Sequence, residues 1–266
     1  MKKVLLTGSE GFVGLELQTY IHLNSLPYQI QCVDRKLGLE VNKVEDLSDV
    51  QAVIHLAAQP NVFNSNLYQI KEDNIEVFEY ICDLAKKFNV PFIYASSATA
   101  YDKNISSYYG ESKKANELYA TLNYPKSIGL RFHNIYSRSP RKDTIFYNLL
   151  NKGSVSLVSN GKTTRHFTYI TDILDSILSA LDNYEELNSG IYNVLNPVNN
   201  TTLELAKEVQ KYRPELEIKL IDDIEGRDTI FQYVDESLPT IPLKYKTIQE
   251  GIHDIFRTHL LDKTSR

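Results

Sequence analysis

The sequence has little cysteine, and this bears on where the protein folds. The 266 residues include two cysteines, Cys32 and Cys82, far apart in the chain and each in apolar surroundings. This pattern excludes a disulfide framework and is typical of buried free thiols in a reducing compartment.

Excess positive charge and long hydrophobic runs are also missing. The formal net charge is -5 at pH 7, with both signs interspersed, so a nucleic-acid partner is not expected. No segment approaches the roughly 20 apolar residues of a membrane helix. The apolar run Val4–Leu6 that follows Met1–Lys3 is too short for a signal peptide. We therefore expect a soluble, cytoplasmic protein that does not associate with membranes.

Short apolar runs alternate with helical patterns along the chain, which predicts βαβ units and a parallel sheet. The predicted strands are Lys3–Leu6, Gln29–Val33, a short one at Leu39–Val41, Ala52–Leu56, Phe92–Ala95, Ser127–Phe132 and Ile191–Val194. The predicted helices are Gly14–Leu23, Asn74–Phe88, Tyr109–Leu122, Ile173–Leu181, Leu203–Tyr212 and Ile248–His259. The short distance from Asp34 to Leu39 indicates that one helix of the doubly wound pattern is lost.

The fold class that follows is α/β, a Rossmann-type doubly wound parallel sheet with a smaller C-terminal α+β cap for substrate. Residues 1–133, rejoined by 166–195, are expected to form the dinucleotide-binding core. Residues 134–165 and 196–240 contain more Pro and Asn. Residues 134–165 and 196–266 are expected to form the cap near the carboxyl ends of the strands, where such sheets bind ligands.

A glycine pattern after the first strand predicts a cofactor site. Gly8 permits a tight turn, Gly11 lets backbone amides approach a pyrophosphate, and Gly14 lets the next helix pack closely. The expected cofactor contacts in this turn are Gly8, Ser9, Gly11, Phe12, Val13 and Gly14.

A carboxylate at the end of the second strand indicates which dinucleotide binds. Asp34 stands about 20 residues after the last glycine, where it bonds ribose hydroxyls and repels a 2′-phosphate, which favours NAD. Arg35 and Lys36 follow directly and are able to bind that phosphate, so NADP remains an alternative cofactor.

Small residues end the next predicted strand and let the backbone lie against the cofactor, with Leu56, Ala57 and Ala58 as the contacts. His55 in the same strand is interpreted as a core residue rather than a base. Asn74 is expected to begin a helix, either as a simple cap or with a hydrogen bond linked to the cofactor.

Tyr109 and Lys113 form the candidate catalytic pair. If this region is helical, their spacing puts the phenol and the ammonium on one face. A nearby ammonium and an oxidised nicotinamide favour the phenolate, while Ser97 supplies a hydroxyl that orients the substrate oxygen. Such a set removes a proton from an alcohol while a hydride leaves its carbon.

These residues, in this order, resemble the extended short-chain dehydrogenase/reductase superfamily in its NAD-dependent nucleotide-sugar epimerase/dehydratase branch. The matching segments extend over most of the chain and are Thr7–Gly14, Ile54–Gln59, Tyr94–Tyr101, Tyr109–Lys113, Leu130–Tyr136, Thr164–Tyr169 and Gly190–Val194. The resemblance implies Ser97, Tyr109 and Lys113 as catalytic residues and Thr99 in the sugar pocket.

The same resemblance implies a nucleoside-diphosphate sugar as the substrate. By position, Asn134, Arg165 and Arg227 look like its phosphate contacts, and an arginine fork suits two phosphate oxygens. No metal site is predicted. The resemblance also implies a homodimer, formed by pairing the helices at 74–88 and 109–122.

Residues near Ser97 discriminate among the reactions of this family. The 4,6-dehydratases carry an Asp–Glu pair where this chain has Ala98 and Thr99, so the proton carriers for dehydration are missing. The 3,5-epimerases use a cysteine where Thr99 stands. A 4-epimerase is therefore predicted, with a heptose 6-epimerase as the near alternative because Lys142 lies close to the position of that enzyme's extra lysine.

Two departures from the family concern the substrate. Only 11 residues separate Ser97 from Tyr109, fewer than is usual, which predicts a pocket that is open or shaped for another sugar. Ser137 replaces a customary glycine. A keto-sugar reductase and a non-catalytic cofactor-binding sensor are the alternatives from other functional classes.

Overall fold

A computed structural model describes residues 1–61, 66–222 and 232–264. The chain forms two compact units. The first unit contains Met1–Phe132, Leu174–Val194 and Tyr233–Pro242. The second contains His133–Ile173, Leu195–Gln232 and Leu243–Arg266.

The described strands are short and follow one another through both units. They are β1 (Lys2–Thr7), β2 (Tyr28–Val33), β3 (Ala52–His55), β4 (Phe92–Ser97), β5 (Ile128–Phe132), β6 (Ile135–Tyr136), β7 (Ser154–Leu157), β8 (Thr164–Arg165), β9 (Thr168–Tyr169), β10 (Gly190–Val194), β11 (Asn200–Thr201) and β12 (Glu217–Leu220). The α-helices are α1 (Phe12–Leu23), α2 (Leu67–Ile70), α3 (Val77–Phe88), α4 (Tyr108–Asn123), α5 (Ile145–Asn151), α6 (Ile170–Asp182), α7 (Thr202–Gln210) and α8 (Ile248–Thr264).

The first unit is built on a parallel six-stranded sheet with the order β10-β5-β4-β3-β1-β2. Helices α1, α3 and α4 follow β1, β3 and β4 in sequence, which is the βαβ pattern that the alternating hydrophobicity predicts. The predicted Rossmann-type parallel sheet is confirmed.

Helix α3 shows why these elements pack together. Its buried residues Phe78, Ile81, Cys82 and Ala85 follow the spacing of one helix face. They join a core cluster that includes side chains of β1, β3, β4 and α4. Both cysteines are free thiols, with Cys82 buried and Cys32 only partly so.

The predicted strand at Leu39–Val41 is wrong. Two 3-10 turns, Arg35–Leu37 and Val41–Lys43, occupy this stretch instead. Gly38 has φ +73, a left-handed conformation that reverses the chain here. Leu39 is exposed, and Val41 joins the core from a 3-10 turn rather than from a strand. The doubly wound pattern normally has an α-helix between β2 and β3. As predicted, the chain has only 3-10 turns there.

The predicted helix start at Asn74 is also wrong. Helical structure begins at α2, whose N-cap residue Asn66 accepts a hydrogen bond from the backbone N–H of Gln69. It continues through a π-helical stretch, Lys71–Glu76, into α3. Asn74 lies inside that π-helical stretch, a local form that often marks functional sites.

The second unit contains three two-stranded pairings, β6 with β9, β7 with β12, and β8 with β11, together with α5, α7 and α8. Helix α7 begins with a capping box between Thr201 and Glu204. Among the described residues, no helix is long and apolar enough to cross a membrane.

Candidate active site

The glycine turn after β1 has the backbone geometry of a dinucleotide-binding loop. Gly8 has φ +72, and a Cβ added there would lie 2.5 Å from the backbone nitrogen of Ala57. A Cβ on Gly14 would lie 2.3 Å from the carbonyl oxygen of Gly8. Both positions therefore require glycine, because the start of α1 and the end of β3 approach the turn too closely for a side chain.

The same turn offers donors to an anion. Gly11 is the N-cap of α1 and makes no side-chain cap, which leaves the first amide groups of the helix and its dipole available to a ligand. The hydroxyl of Ser9 is buried, and the described residues provide it with no hydrogen-bond partner. The turn thus fits the pyrophosphate of NAD.

Asp34 links the end of β2 to the glycine turn. Its carboxylate accepts hydrogen bonds from the backbone N–H of Glu10 at 3.0 Å and of Lys36 at 2.9 Å. The ammonium of Lys36 donates to the carbonyl oxygen of Glu10 at 2.8 Å. Hydrogen bonds therefore join the C-terminal end of β2 to the glycine turn. The adenosine ribose is expected to bind there.

Arg35 is engaged by two carboxylates. Its Nη2 lies 2.8 Å from Asp73 and its Nε 3.1 Å from Glu40. The hydrogen bond and the charge of Asp73, then Glu40, raise the pKa of Arg35. This cation is already balanced by acidic partners, which supports NAD over NADP.

Asn74 anchors the loop that follows β3. Its side chain accepts from the backbone N–H of Gln59 at 2.6 Å and donates to the carbonyl oxygen of Gln59 at 3.1 Å and to Ser112 at 3.1 Å. It is therefore not a helix cap. It fixes the partly buried Leu56–Ala58 segment next to the glycine turn and ties it to α4.

His55 is a core residue, as expected. Its Nδ1 lies 2.7 Å from the hydroxyl of Thr7, and its ring packs edge-on against Phe78. Burial lowers the pKa of His55 to about 3, so the ring is neutral at physiological pH.

Ser97 and Thr99 lie together at the end of β4. The hydroxyl of Ser97 accepts from the hydroxyl of Thr99 at 2.8 Å and from its backbone N–H at 3.2 Å. A Cβ on Gly110 would lie 2.7 Å from the carbonyl oxygen of Thr99. Thr99, the hydrogen-bond partner of Ser97, therefore packs against the first turn of α4, which carries Tyr109.

The spacing of Tyr109 and Lys113 puts both on one face of α4. The Lys113 ammonium lies 5.8 Å from the centre of the Tyr109 ring and donates to the carbonyl oxygen of Ala95 at 2.9 Å. Burial lowers the pKa of Lys113 to about 8, against the opposing effect of Glu117. The β4 carbonyl thus holds the ammonium near the phenol.

A buried ion pair one turn further along α4 was not anticipated from the sequence. Glu117 binds the guanidinium of Arg131 at 2.6 and 2.7 Å and accepts from Ser96 at 2.6 Å. Arg131 also contacts Asp235 at 3.1 Å. The sequence signal that could have identified Glu117 is its spacing. Tyr109, Lys113 and Glu117 recur every four residues and therefore lie on one helix face.

The short segment between Ser97 and α4 is ordered by another part of the first unit. Asn104 donates to the carbonyl oxygens of Ala98 and Tyr233 and accepts from the backbone N–H of Tyr233 at 2.9 Å. The Lys103 ammonium lies 5.9 Å from the Tyr101 ring and 5.6 Å from the Tyr233 ring. Tyr233 therefore packs against this short segment.

The predicted phosphate contacts belong to the second unit. Asn134 has φ 25, its carbonyl oxygen accepts from the N–H of Thr168, and its side chain bonds Gln232. Arg165 in β8 is partly buried and donates to the carbonyl oxygen of Thr164 at 2.8 Å. Arg227 lies outside the described residues.

Within residues 1–61, 66–222 and 232–264, no three His, Cys, Asp or Glu side chains gather where they could hold an ion. The groups assembled in the first unit are instead hydroxyl, phenol and ammonium groups near a glycine turn, which suit proton transfer beside a dinucleotide.

Several known proteins are similar to this chain in sequence or in fold. An uncharacterised protein of Methanocaldococcus jannaschii is 27% identical over 313 aligned residues, covering 94% of each chain. The structure of TunA, an NAD-dependent NDP-hexosamine 5,6-dehydratase involved in tunicamycin biosynthesis, is similar with a TM-score of 0.80 at 21% identity, over 97% of this chain and 98% of that one. The UDP-glucuronic acid 4-epimerase of Bacillus cereus, in complex with UDP-glucuronic acid and NAD, has a TM-score of 0.77 at 20% identity, over 97% and 99%.

These structural likenesses show a common fold and, because they include both a dehydratase and an epimerase, do not choose a reaction. The model of the NAD dependent epimerase/dehydratase family matches residues 4–194, which contain the glycine turn, Ser97 and the Tyr109–Lys113 pair. The family is NAD-dependent, which confirms the prediction of NAD as the cofactor. This chain belongs to the NAD-dependent epimerase/dehydratase family.

Proposed function

We propose that this protein is an NAD-dependent epimerase of a nucleoside-diphosphate sugar, of the 4-epimerase type. The observation that carries the proposal is the Tyr109–Lys113 pair on α4 beside the hydroxyls of Ser97 and Thr99. The Asp–Glu pair that dehydration needs is replaced by Ala98 and Thr99, and Ala98 is buried without a polar side chain.

The chain's own groups account for the proton transfers. Tyr109, as phenolate, takes the proton from the sugar hydroxyl, and the Lys113 ammonium stabilises the negative phenolate oxygen. Ser97 donates a hydrogen bond to the same substrate oxygen. NAD held by the glycine turn and Asp34 would supply a reversible hydride acceptor for the carbon that carries this hydroxyl. No net oxidation occurs, and Tyr109 gives its proton back.

The remaining site residues are assigned to binding. The amides and hydroxyl of the Gly8–Gly14 turn hold the pyrophosphate, and Asp34 accepts the ribose hydroxyls. Asn134 and Arg165 are proposed to bind the sugar diphosphate, since an amide and a guanidinium both donate to phosphate oxygens.

Proton NMR in deuterated water tests this proposal. The purified protein is incubated with UDP-, dTDP-, GDP- and ADP-sugars, and the appearance of an epimer without solvent deuterium at the inverted carbon establishes hydride return through a ketone. Inversion at carbon 6 rather than carbon 4 would instead identify the heptose type.

Two other outcomes would overturn the proposal. Consumption of added NADH or NADPH with a keto-sugar, and no epimer without it, would indicate a reductase. Cofactor binding with no turnover under either condition would indicate a sensor. An absorbance scan near the reduced-nicotinamide band, before and after denaturation, adds an independent check, because an epimerase tends to retain its cofactor.

A further inference from the structure

A buried group of three charged residues lies next to the catalytic pair. Glu117 and Arg131 are 2% and 3% exposed, and their bidentate contact places two hydrogen bonds in the interior of the first unit. Asp235 binds the same guanidinium from the segment Tyr233–Pro242. We call Glu117, Arg131 and Asp235 the buried triad.

The triad carries an excess of negative charge. One guanidinium faces two carboxylates, the buried Glu117 and the partly exposed Asp235, so one negative charge is left unbalanced. The hydrogen bonds from Ser237 and Arg131 outweigh the effect of burial and keep the pKa of Asp235 below its usual range, so this carboxylate is ionised at neutral pH.

Lys113 is the cation placed to balance that charge. It lies one helical turn from Glu117 on the same face of α4, and its ammonium donates to the neutral carbonyl oxygen of Ala95. The register pairs Ser96 with Arg131 across β4 and β5, and Ser96 donates to Glu117. The backbone that holds the ammonium is therefore joined directly to the triad.

The described ionisable groups of the neighbouring strands β3 and β4 are uncharged. His55 of β3 interacts electrostatically with Lys113 but is neutral, because burial lowers its pKa to about 3. Burial raises the pKa of Tyr94 of β4, so it is neutral too. The neighbouring side chain on α4 itself is Tyr109. The positive charge of Arg131 is neutralised by the carboxylates of Glu117 and Asp235.

We propose that the buried triad is a positioning device for the catalytic pair, in which the excess negative charge of Glu117 and Asp235 keeps Lys113 in its ammonium form beside Tyr109. Burial alone favours a neutral amine, and a neutral amine would not stabilise a phenolate. Glu117 raises the pKa of Lys113 against this burial. The triad therefore acts on the reaction through Lys113, without contact with substrate.

The titration of Lys113 tests this inference without any substrate. Protein labelled with carbon-13 at the lysine ε-position is titrated by NMR, and the Lys113 signal is assigned by its loss in Lys113→Arg. We expect the wild-type signal to titrate near pH 8, following the pKa of about 8 for Lys113. In Asp235→Asn the midpoint should fall by about half a pH unit or more, because the negative charge of Asp235, which binds Arg131, is lost while the Glu117–Arg131 pair stays intact.

Two further variants complete the design. Glu117→Gln removes the other carboxylate and leaves the Arg131–Asp235 pair, so the midpoint should fall in the same direction. Asp102→Asn is the matched control, because Asp102 pairs with the neighbouring Lys114 at 3.4 Å and its loss should leave Lys113 unchanged. If Glu117→Gln does not fold, the partly exposed Asp235 still carries the test.

An unchanged Lys113 midpoint in folded Asp235→Asn, with the fold checked by circular dichroism, overturns the inference. A kinetic arm rests on the proposed function: in the same variant the basic limb of the epimerisation rate, where the Lys113 ammonium is lost, should move to lower pH. Failure of that arm alone, with the titration shifted, would count against the proposed reaction rather than against the triad.

Discussion

Two adjacent tyrosines at the start of α4 have different surroundings. Tyr109 lies near the Lys113 ammonium, whereas Tyr108 is 37% exposed. Tyr109→Phe should reduce the epimerisation rate by at least about 100-fold, the typical contribution of general acid–base catalysis, with little change in folding because the ring remains. Turnover of both variants with the substrate found by NMR checks this, and Tyr108→Phe should stay active. A Tyr109→Phe variant with most of its rate would remove Tyr109 from the role of base.

The acidic partners of Arg35 lead to a prediction about cofactor choice. In Asp73→Asn or Glu40→Gln, the guanidinium is less engaged and turns more readily toward a 2′-phosphate. NADP affinity should rise by about five-fold, roughly the 1 kcal/mol of an exposed ion pair, and NAD affinity should stay nearly constant. Calorimetric titration with both cofactors measures this.

A matched control for this cofactor prediction lies in the same π-helical stretch as Asp73. Glu76 pairs with Lys71 at 2.9 Å, with both side chains more than half exposed, so Glu76→Gln removes an acidic ion-pair partner without touching Arg35. The prediction fails if Glu76→Gln raises NADP affinity as much as Asp73→Asn does.

His55 predicts a pH dependence of folding. Its pKa is about 3 in the folded protein, against 6.5 for an ordinary histidine, so the unfolded state binds the proton first. The free energy of unfolding should therefore fall as pH drops from about 6.5, by about 1 kcal/mol per pH unit from this residue. Urea unfolding at pH 7 and pH 5.5 measures the slope.

Replacement of His55 should reduce that slope. His55→Asn keeps a polar atom near Thr7 and removes the titration, so its unfolding free energy should depend less on pH than that of the wild type. The exposed His22 is the control, and His22→Asn should retain the wild-type slope. An identical slope in His55→Asn would show that other groups dominate the acid response.

At the scale of an element, the π-helical stretch Lys71–Glu76 brings Asn74 to the loop after β3. Asn74→Ala removes three hydrogen bonds at a site that is 1% exposed. We expect a loss of about 2–3 kcal/mol of unfolding free energy, because the amide groups of Gln59 lose their partner. NAD affinity should also weaken, since the Leu56–Ala58 backbone is less fixed.

Asn66 provides the comparison for that element. Asn66→Ala removes the N-cap of α2, which costs about 1 kcal/mol, and should leave NAD affinity unchanged. Denaturant unfolding and NAD titration of both variants separate the two roles. Equal loss of NAD affinity in the two variants would make the Asn74 effect a general weakening of the helix.

At the scale of the whole molecule, homodimer formation stays a prediction. Helix α4 exposes two leucines one turn apart, Leu118 at 54% and Leu122 at 79%, and Tyr119 of α4 donates to Asp83 of α3 at 2.9 Å. An apolar pair on the helices expected to form the interface is consistent with pairing of two copies.

Light scattering tests the oligomeric state. The wild type should have the mass of a dimer, and Leu122→Glu should shift it toward the 30.5 kDa monomer because a carboxylate would be buried at the interface. Leu23→Glu, at a position 75% exposed on α1, should leave the mass unchanged. A monomeric wild type would contradict the prediction.

The local parts of this molecule follow from nearby residues alone. The strand, turn and helix from Lys2 to Leu23 could be predicted, because the turn leaves no room for a side chain at Gly8 and Gly14 and so requires glycine there. The Tyr109–Lys113 pair could be predicted because a helix repeats every 3.6 residues. The family and its cofactor followed from the same local motifs.

Only the tertiary structure determines which side chains that are distant in sequence are in contact. Arg35 pairs with Asp73, 38 residues away, and Arg131 joins Glu117 to Asp235, which is 104 residues further along the chain. Asn74 reaches the backbone of Gln59 rather than a helix end. Periodicity and turn chemistry reach only a few residues along the chain, whereas these contacts depend on how α3, α4 and the Tyr233–Pro242 segment pack against one sheet.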